Sequence, residues 1–209
     1  MKAFSVFLGG KFNRGMSYVE LIVVLSIFSV MTSVIIFNYG EFQAKVDVKN
    51  LASDIALKIV EAQKSSVSGR FPPSAQQSLI NSTWKPAYGF FLDRVANNKS
   101  FIYFTDIDQD NLYDSSSCPG VGECLEQITI TNGNNILNAE VFFHGVTAPT
   151  SLNDLTIAFK RPNSDAVISS SQIVLPLASP ISHVQITVAS THAPTAQIKI
   201  YPSGRIQVN

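Results

Sequence analysis

Charge is scarce in this chain of 209 residues: Asp, Glu, Lys and Arg make up only 14% of it, and fifteen basic side chains balance fifteen acidic ones. A neutral, charge-poor chain has no overall field to draw it onto nucleic acid or an acidic surface. Histidine is rarer still. His144, His183 and His192 are scattered, with no pair at metal-ligand spacing and no nucleophile signature nearby. The serine runs at 115–117 and 169–171 read as loops, and no glycine-rich motif that could cradle a phosphate occurs. The two cysteines alone cannot supply the four ligands of a structural zinc site. These shortages leave catalysis with little support, and the chain is expected not to be an enzyme.

What the chain does have is one long apolar run. From Met16 to Tyr39 the only charged residue is Glu20. At about 1.5 Å per residue such a segment spans roughly 36 Å as a helix, enough to cross a bilayer. Lys2, Lys11 and Arg14 precede it without an acidic partner, which predicts a cytoplasmic N-terminus and a C-terminal bulk outside the cytoplasm. A carboxylate inside a membrane helix costs on the order of 2.5–3.5 kcal/mol, so Glu20 demands a use. An ordinary secretory signal places its small-residue cleavage site after the apolar core; here Gly15 stands before it. Cleavage after Gly15 would leave the apolar segment on the mature chain and create an amine at Met16, able to neutralise Glu20 within the chain or from a neighbouring subunit.

Arg14, Gly15, Met16, Ser17 and Glu20, followed by LIVVLSIFSVMTSVII, resemble the class III signal of type IV prepilins and type II secretion pseudopilins. The resemblance implies a prepilin peptidase that cuts between Gly15 and Met16 and methylates Met16, with Glu20 setting subunit register during filament assembly. It also implies other pilin or pseudopilin subunits, an inner-membrane assembly platform and membrane lipid as partners. The chain would begin in the inner membrane by a single pass and end in a periplasmic or extracellular filament. Two residues depart from the pattern: Met16 stands where phenylalanine is commonest, and Phe37 where major pilins often carry a helix-kinking proline.

Beyond the apolar run, Val48, Leu51, Ile55, Ile59 and Ala62 recur at steps of three or four, which predicts a continuing amphipathic helix. Gly69 is placed to cap it, and Pro72 and Pro73 prevent resumption. Downstream, strands are expected at 87–92, 100–105, 126–131, 136–143, 155–160, 172–176, 183–189 and 196–201, with a hairpin turning at Pro202-Ser203-Gly204 into 205–208. The expected organisation is thus a leader at 1–15, a membrane and assembly helix at 16–39, its amphipathic continuation at 40–69, and an antiparallel β domain at 70–209. The expected class is α+β, a long N-terminal helix packed on that domain. The order of these elements and the closing I-x-I-x-x-x-G-R-I-x-V hairpin resemble the GspH/FimT branch of minor pseudopilins.

Three features could carry chemistry in the outer domain. Cys118 and Cys124 close a short CPGVGEC loop; outside the cytoplasm this reads as a disulfide, with a pair of free thiols as the alternative. In FTDIDQDNLYD, Asp106, Asp108, Asp110 and Asp114 fall at alternating positions, and with the Leu112 carbonyl they could supply oxygens to calcium. Asn111 sits where an EF-hand-type loop has glycine, and Ser117 where it has its bidentate glutamate, so affinity would be low. The competing reading is a solvated acidic turn without metal. Finally, some members of the FimT group bind DNA near the C-terminal hairpin, where this chain offers Lys199 and Arg205, with Lys160 and Arg161 on a neighbouring turn. Four dispersed cations would give weak, salt-sensitive attraction at most.

Overall fold

A computed structural model describes residues 15–114, 118, 122–172, 180–190 and 194–209. The basic leader residues Lys2, Lys11 and Arg14, the serines at 115–117, His192 and all but Gln172 of the expected strand at 172–176 lie outside the described residues. The chain divides into two compact units, Met1–Gly40 and Glu41–Asn209. Helix α1, Tyr18–Val67, supplies the described helix of the first unit and the opening of the second.

In the first unit the side chains from Leu21 to Phe37, half-buried Thr32 apart, are exposed along the helix, an apolar surface all round. A soluble helix buries at least one stripe, whereas this one is long and apolar enough to cross a membrane. Glu20 sits in its first turn and is exposed, with Gly15 and Met16 just ahead of the helix.

In the second unit the helix becomes amphipathic. Val48, Ala52, Ile55, Ile59 and Ala62 are buried in the core, while Leu57 is exposed. The helix ends as glycine geometry dictates: Gly69 has φ 71°, its N–H donates to Ser66 O at 3.0 Å, and Arg70 N–H donates to Ser65 O at 3.1 Å. This paired closure consumes carbonyls that the last turn would otherwise leave unsatisfied. A single turn, α2 (Ser74–Gln77), follows the two prolines.

Ten strands follow: β1 Ala87–Asp93, β2 Ser100–Thr105, β3 Cys124–Thr129, β4 Asn135–Phe143, β5 Thr150–Ser151, β6 Asp154–Lys160, β7 Ala166–Ser169, β8 Ile181–Ala189, β9 Thr195–Ile200 and β10 Ile206–Val208. They form two antiparallel sheets, ordered β3-β2-β1-β6-β7 and β10-β9-β8-β4-β5. The class is therefore α+β. One core joins the helix stripe to both sheets through Phe90, Leu155 and Ile157 from the first and Val141, Ile186 and Ile198 from the second. Burial of such side chains at about 25 cal/mol per Å² is what offsets the entropy of ordering the chain.

Side chains near the end of the helix tie it to the domain. Gln63 Nε2 donates to Ser164 O at 2.9 Å and to Gly204 O at 3.2 Å. Ser66 Oγ donates to Pro86 O at 3.0 Å, Tyr103 Oη to Ser65 Oγ at 3.1 Å, and Tyr88 Oη to Arg70 O at 2.8 Å.

The first sheet is covered on both faces, which explains the nearly unbroken burial of β1. Gly89 is required there: a Cβ would lie 2.4 Å from the Phe104 ring and 2.9 Å from Ile157 O. On the same face Tyr113 packs against Phe91 and Phe104, at centroid distances of 4.9 and 5.4 Å. That aromatic clasp fixes the loop after β2 against the sheet.

One strand expectation shifts, and two strands are added. The run at 126–131 pairs instead as Cys124–Thr129, because Thr131-Asn132-Gly133-Asn134 forms the turn into β4, with φ 59° at Asn132 and 71° at Gly133. Strands β5 and β7 were not anticipated; both are short edge strands set among Ser, Asn and Pro, where alternation is too brief to register.

Candidate functional site

The acidic loop begins at the foot of β2. Asp106 has no exposed surface. Its N–H donates to Ala87 O at 3.1 Å, and its carbonyl accepts the Trp84 indole N–H at 2.8 Å, so its backbone is pinned to β1 and to the loop after α2. Its carboxylate turns the chain: Oδ1 accepts from Gln109 N–H at 2.6 Å and Oδ2 from Asn111 N–H at 3.1 Å. Gln109 and Asn111 both take left-handed conformations, φ 69° and 66°, the bend that the asparagine permits. Further out, Asp108 Oδ1 accepts from Asp110 N–H at 3.2 Å and Asp110 Oδ1 from Leu112 N–H at 2.7 Å.

The partner that sequence reasoning missed is Glu123. Only 6% exposed, it accepts Ile107 N–H at 2.8 Å through Oε1 and Asp114 N–H at 3.1 Å through Oε2. It reaches the loop by strand pairing: Thr105 N–H donates to Glu123 O at 2.9 Å, just past a register shift between Tyr103 and Phe104. The signal lay in CxxxxEC, since antiparallel pairing of β2 with β3 sets the residue before Cys124 opposite the residue after Phe104. Cys118 and Cys124 are joined by a disulfide, which closes the far side of the loop.

The carboxylates fall into two overlapping triads, Asp106–Asp108–Glu123 and Asp108–Asp110–Asp114; within each, oxygens lie within 4.8 Å of one another. Asp108 is common to both. The structure thus brings together the four aspartates of the sequence reading, splits them into two sets and adds Glu123; Leu112 takes part through its N–H. Burial, and then the neighbouring carboxylates, push Glu123 up to about 7 and Asp106 up to about 6, against the opposing pull of the N–H groups that each accepts. Burial and the charges of Asp108 and Asp114 also raise Asp110. Clustered hard oxygens of this kind can hold a cation, which would offset their repulsion.

The cations near the C-terminal hairpin are arranged differently. Arg205 lies over the Tyr201 ring, 3.8 Å from its centroid, while the His183 ring stacks on Phe142 at 4.4 Å and stands 5.6 Å from Tyr201. Burial and the nearby Lys199 and His144 lower the His183 pKa. Lys199 shares this sheet with the stack, but the guanidinium of Arg205 already covers the ring on which a base would stack. Lys160 ends β6, and the Arg161 guanidinium packs beside Gly69.

No protein-family model, no characterised protein and no solved structure matches the chain.

Proposed function

We propose that the chain is a non-enzymatic, membrane-inserted subunit of a type IV pilus or type II secretion pseudopilus, a minor component of the filament. The observation that carries this reading is the N-terminal arrangement: Gly15 and Met16 just ahead of a helix whose first turn holds Glu20 and whose membrane-length surface is otherwise apolar. On this reading a prepilin peptidase removes residues 1–15 and methylates Met16. The apolar helix is stored in the inner membrane, and subunits then exchange lipid for one another's helices as the assembly platform extracts them. Glu20 pairs with an amine, which answers the cost of placing a carboxylate there. Phe37, in place of the helix-kinking proline, weighs against a major pilin of the shaft. A DNA-binding subunit at the filament tip draws less support, since Arg205 is engaged by Tyr201.

In the same reading the acidic loop takes calcium through Asp108 and its flanking carboxylates, with an affinity of about 10⁻⁴–10⁻³ M, as in extracellular modules. The decisive experiment is mass spectrometry of the mature N-terminus. N-methylated Met16 is the expected first residue. Residues 1–15 retained in cells that possess a prepilin peptidase would refute the pilin reading.

A further inference from the structure

The chain has six tyrosines, and four of them are engaged in the β domain. Tyr88 and Tyr103 are buried and donate to Arg70 O and Ser65 Oγ, Tyr113 packs against Phe91 and Phe104, and Tyr201 meets His183 and Arg205. The other two stand apart. Tyr18 is 77% exposed and Tyr39 62%, and neither ring nor hydroxyl has a partner among the described residues. An apolar ring with a polar tip suits a boundary that is apolar on one side and wet on the other.

Their places in helix α1 are the second observation. Tyr18 opens the helix, and Tyr39 follows about 32 Å further along the axis at 1.5 Å per residue. The hydrocarbon core of a bilayer is about 30 Å thick, and a tilt of roughly 20°, ordinary for a membrane helix, brings the two lengths together. Between the tyrosines the one charged residue is Glu20. Ser26 Oγ and Thr32 Oγ1 donate back to Val23 O and Phe28 O, both at 2.8 Å, as an apolar surround demands of a hydroxyl. The next charges in the sequence lie outside the pair, Arg14 before it and Glu41 after it.

We propose, resting on the membrane reading and not on the filament one, that Tyr18 and Tyr39 are interfacial anchors that set the depth of helix α1 in a phospholipid bilayer, one at each boundary between hydrocarbon and headgroups. Aromatic side chains with a polar tip gather at both such boundaries. Phe28 then falls close to the midplane. Glu20, two residues in from Tyr18, stands only about 3 Å inside the boundary. From there its carboxylate reaches the headgroups and escapes most of the cost that a charge meets at the bilayer centre. In lipid Glu20 needs no amine; the need arises once the helix is drawn away from the headgroups.

The test places the full chain in phosphatidylcholine–phosphatidylglycerol vesicles whose acyl chains carry bromine either close to the headgroup or close to the chain end. Bromine quenches tryptophan on contact, so the ratio of shallow to deep quenching reads depth. Tyr18→Trp, Tyr39→Trp and Phe28→Trp would be compared, each as the increment over the wild-type chain, whose single tryptophan, Trp84, lies in the core of the β domain. All three positions are exposed, so these substitutions leave the fold intact. The ratio should exceed one at positions 18 and 39 and fall below one at 28. Adding Tyr18→Leu and Tyr39→Leu to the Phe28→Trp chain should raise its ratio, because a helix without anchors samples other depths. A ratio below one at 18 or 39, a ratio above one at 28, or a Phe28→Trp ratio that the two leucines leave unchanged would overturn the anchors while the membrane reading stands. Quenching at none of the three positions would overturn both.

Discussion

Buried carboxylates without a cation make folding depend on pH in an unusual direction. Glu123 rises from an ordinary 4.5 to about 7 on folding, and Asp106 from 3.8 to about 6. A carboxylate with a raised folded pKa favours the folded state fully while protonated in both states, and that contribution is lost as pH rises through the folded value. In chelator, stability should therefore fall between about pH 5 and pH 8. Integrating the proton uptake of the two groups over that interval gives a loss of about 4 kcal/mol, most of it from Glu123. For a domain of this size that corresponds to a drop in Tm of roughly 10 °C. The single tryptophan reports the right place, since the Trp84 indole donates to the Asp106 carbonyl. We would follow Trp84 fluorescence during thermal melts of the full chain in detergent, in EDTA and in millimolar calcium. Calcium should raise Tm more at pH 8 than at pH 5, because protons and the ion compete for the same oxygens. Glu123→Gln should flatten the pH dependence in EDTA. A Tm in EDTA that is flat or rises from pH 5 to pH 8 would refute the burial argument, and a calcium effect that Asp108→Ala leaves unchanged would remove the ion from this loop.

Gly89→Ala should cost about 3 kcal/mol, because the new methyl meets both the Phe104 ring and the Ile157 carbonyl; chemical denaturation measures it, and a loss under 1 kcal/mol would mean that the sheet can yield there. Glu20→Ala should leave membrane insertion intact while impairing assembly, as cell fractionation and filament immunoblots would show; incorporation at wild-type efficiency removes the pairing role. Replacing Cys118 and Cys124 together by serine opens a loop with a sequence separation of 6 and should cost about 2 kcal/mol, read from the denaturation midpoint; calcium affinity should weaken with it.

Local patterning made most of this fold legible. The apolar run, the three-and-four stripe from Val48 to Ala62 and the glycine-proline stop at 69–73 mark helix α1 to within two residues of its Tyr18–Val67 limits. Alternation located β1, β2, β4, β6, β8 and β9, and Pro202-Ser203-Gly204 located the closing turn: Gly204 N–H donates to Tyr201 O at 2.8 Å. What escaped depends on distant parts of the chain. Glu123 joins Asp106 only through the register of β3 on β2, and Tyr113 matters only because Phe91 and Phe104 meet it across two strands. The aspartate spacing revealed an oxygen-rich loop, yet it could not reveal that one of the four is fully buried while Asp108, Asp110 and Asp114 remain exposed.

The bonds at the end of helix α1 also have a mechanical meaning. Gln63, Ser65 and Ser66 in the last turns of the helix and Arg70 just past its cap engage Tyr103 and Tyr88 in β2 and β1, Pro86 just ahead of β1, and the turns at Ser164 and Gly204, one from each sheet. A pull along the helix axis would load these bonds side by side rather than one after another. Bonds loaded in parallel share force, so the junction should resist slow tension far better than any one of them and then fail as a unit. Gln63 holds two turns with one amide and is the place where that sharing begins; its loss would let the two hairpin ends move separately under load while the unstressed fold changes little.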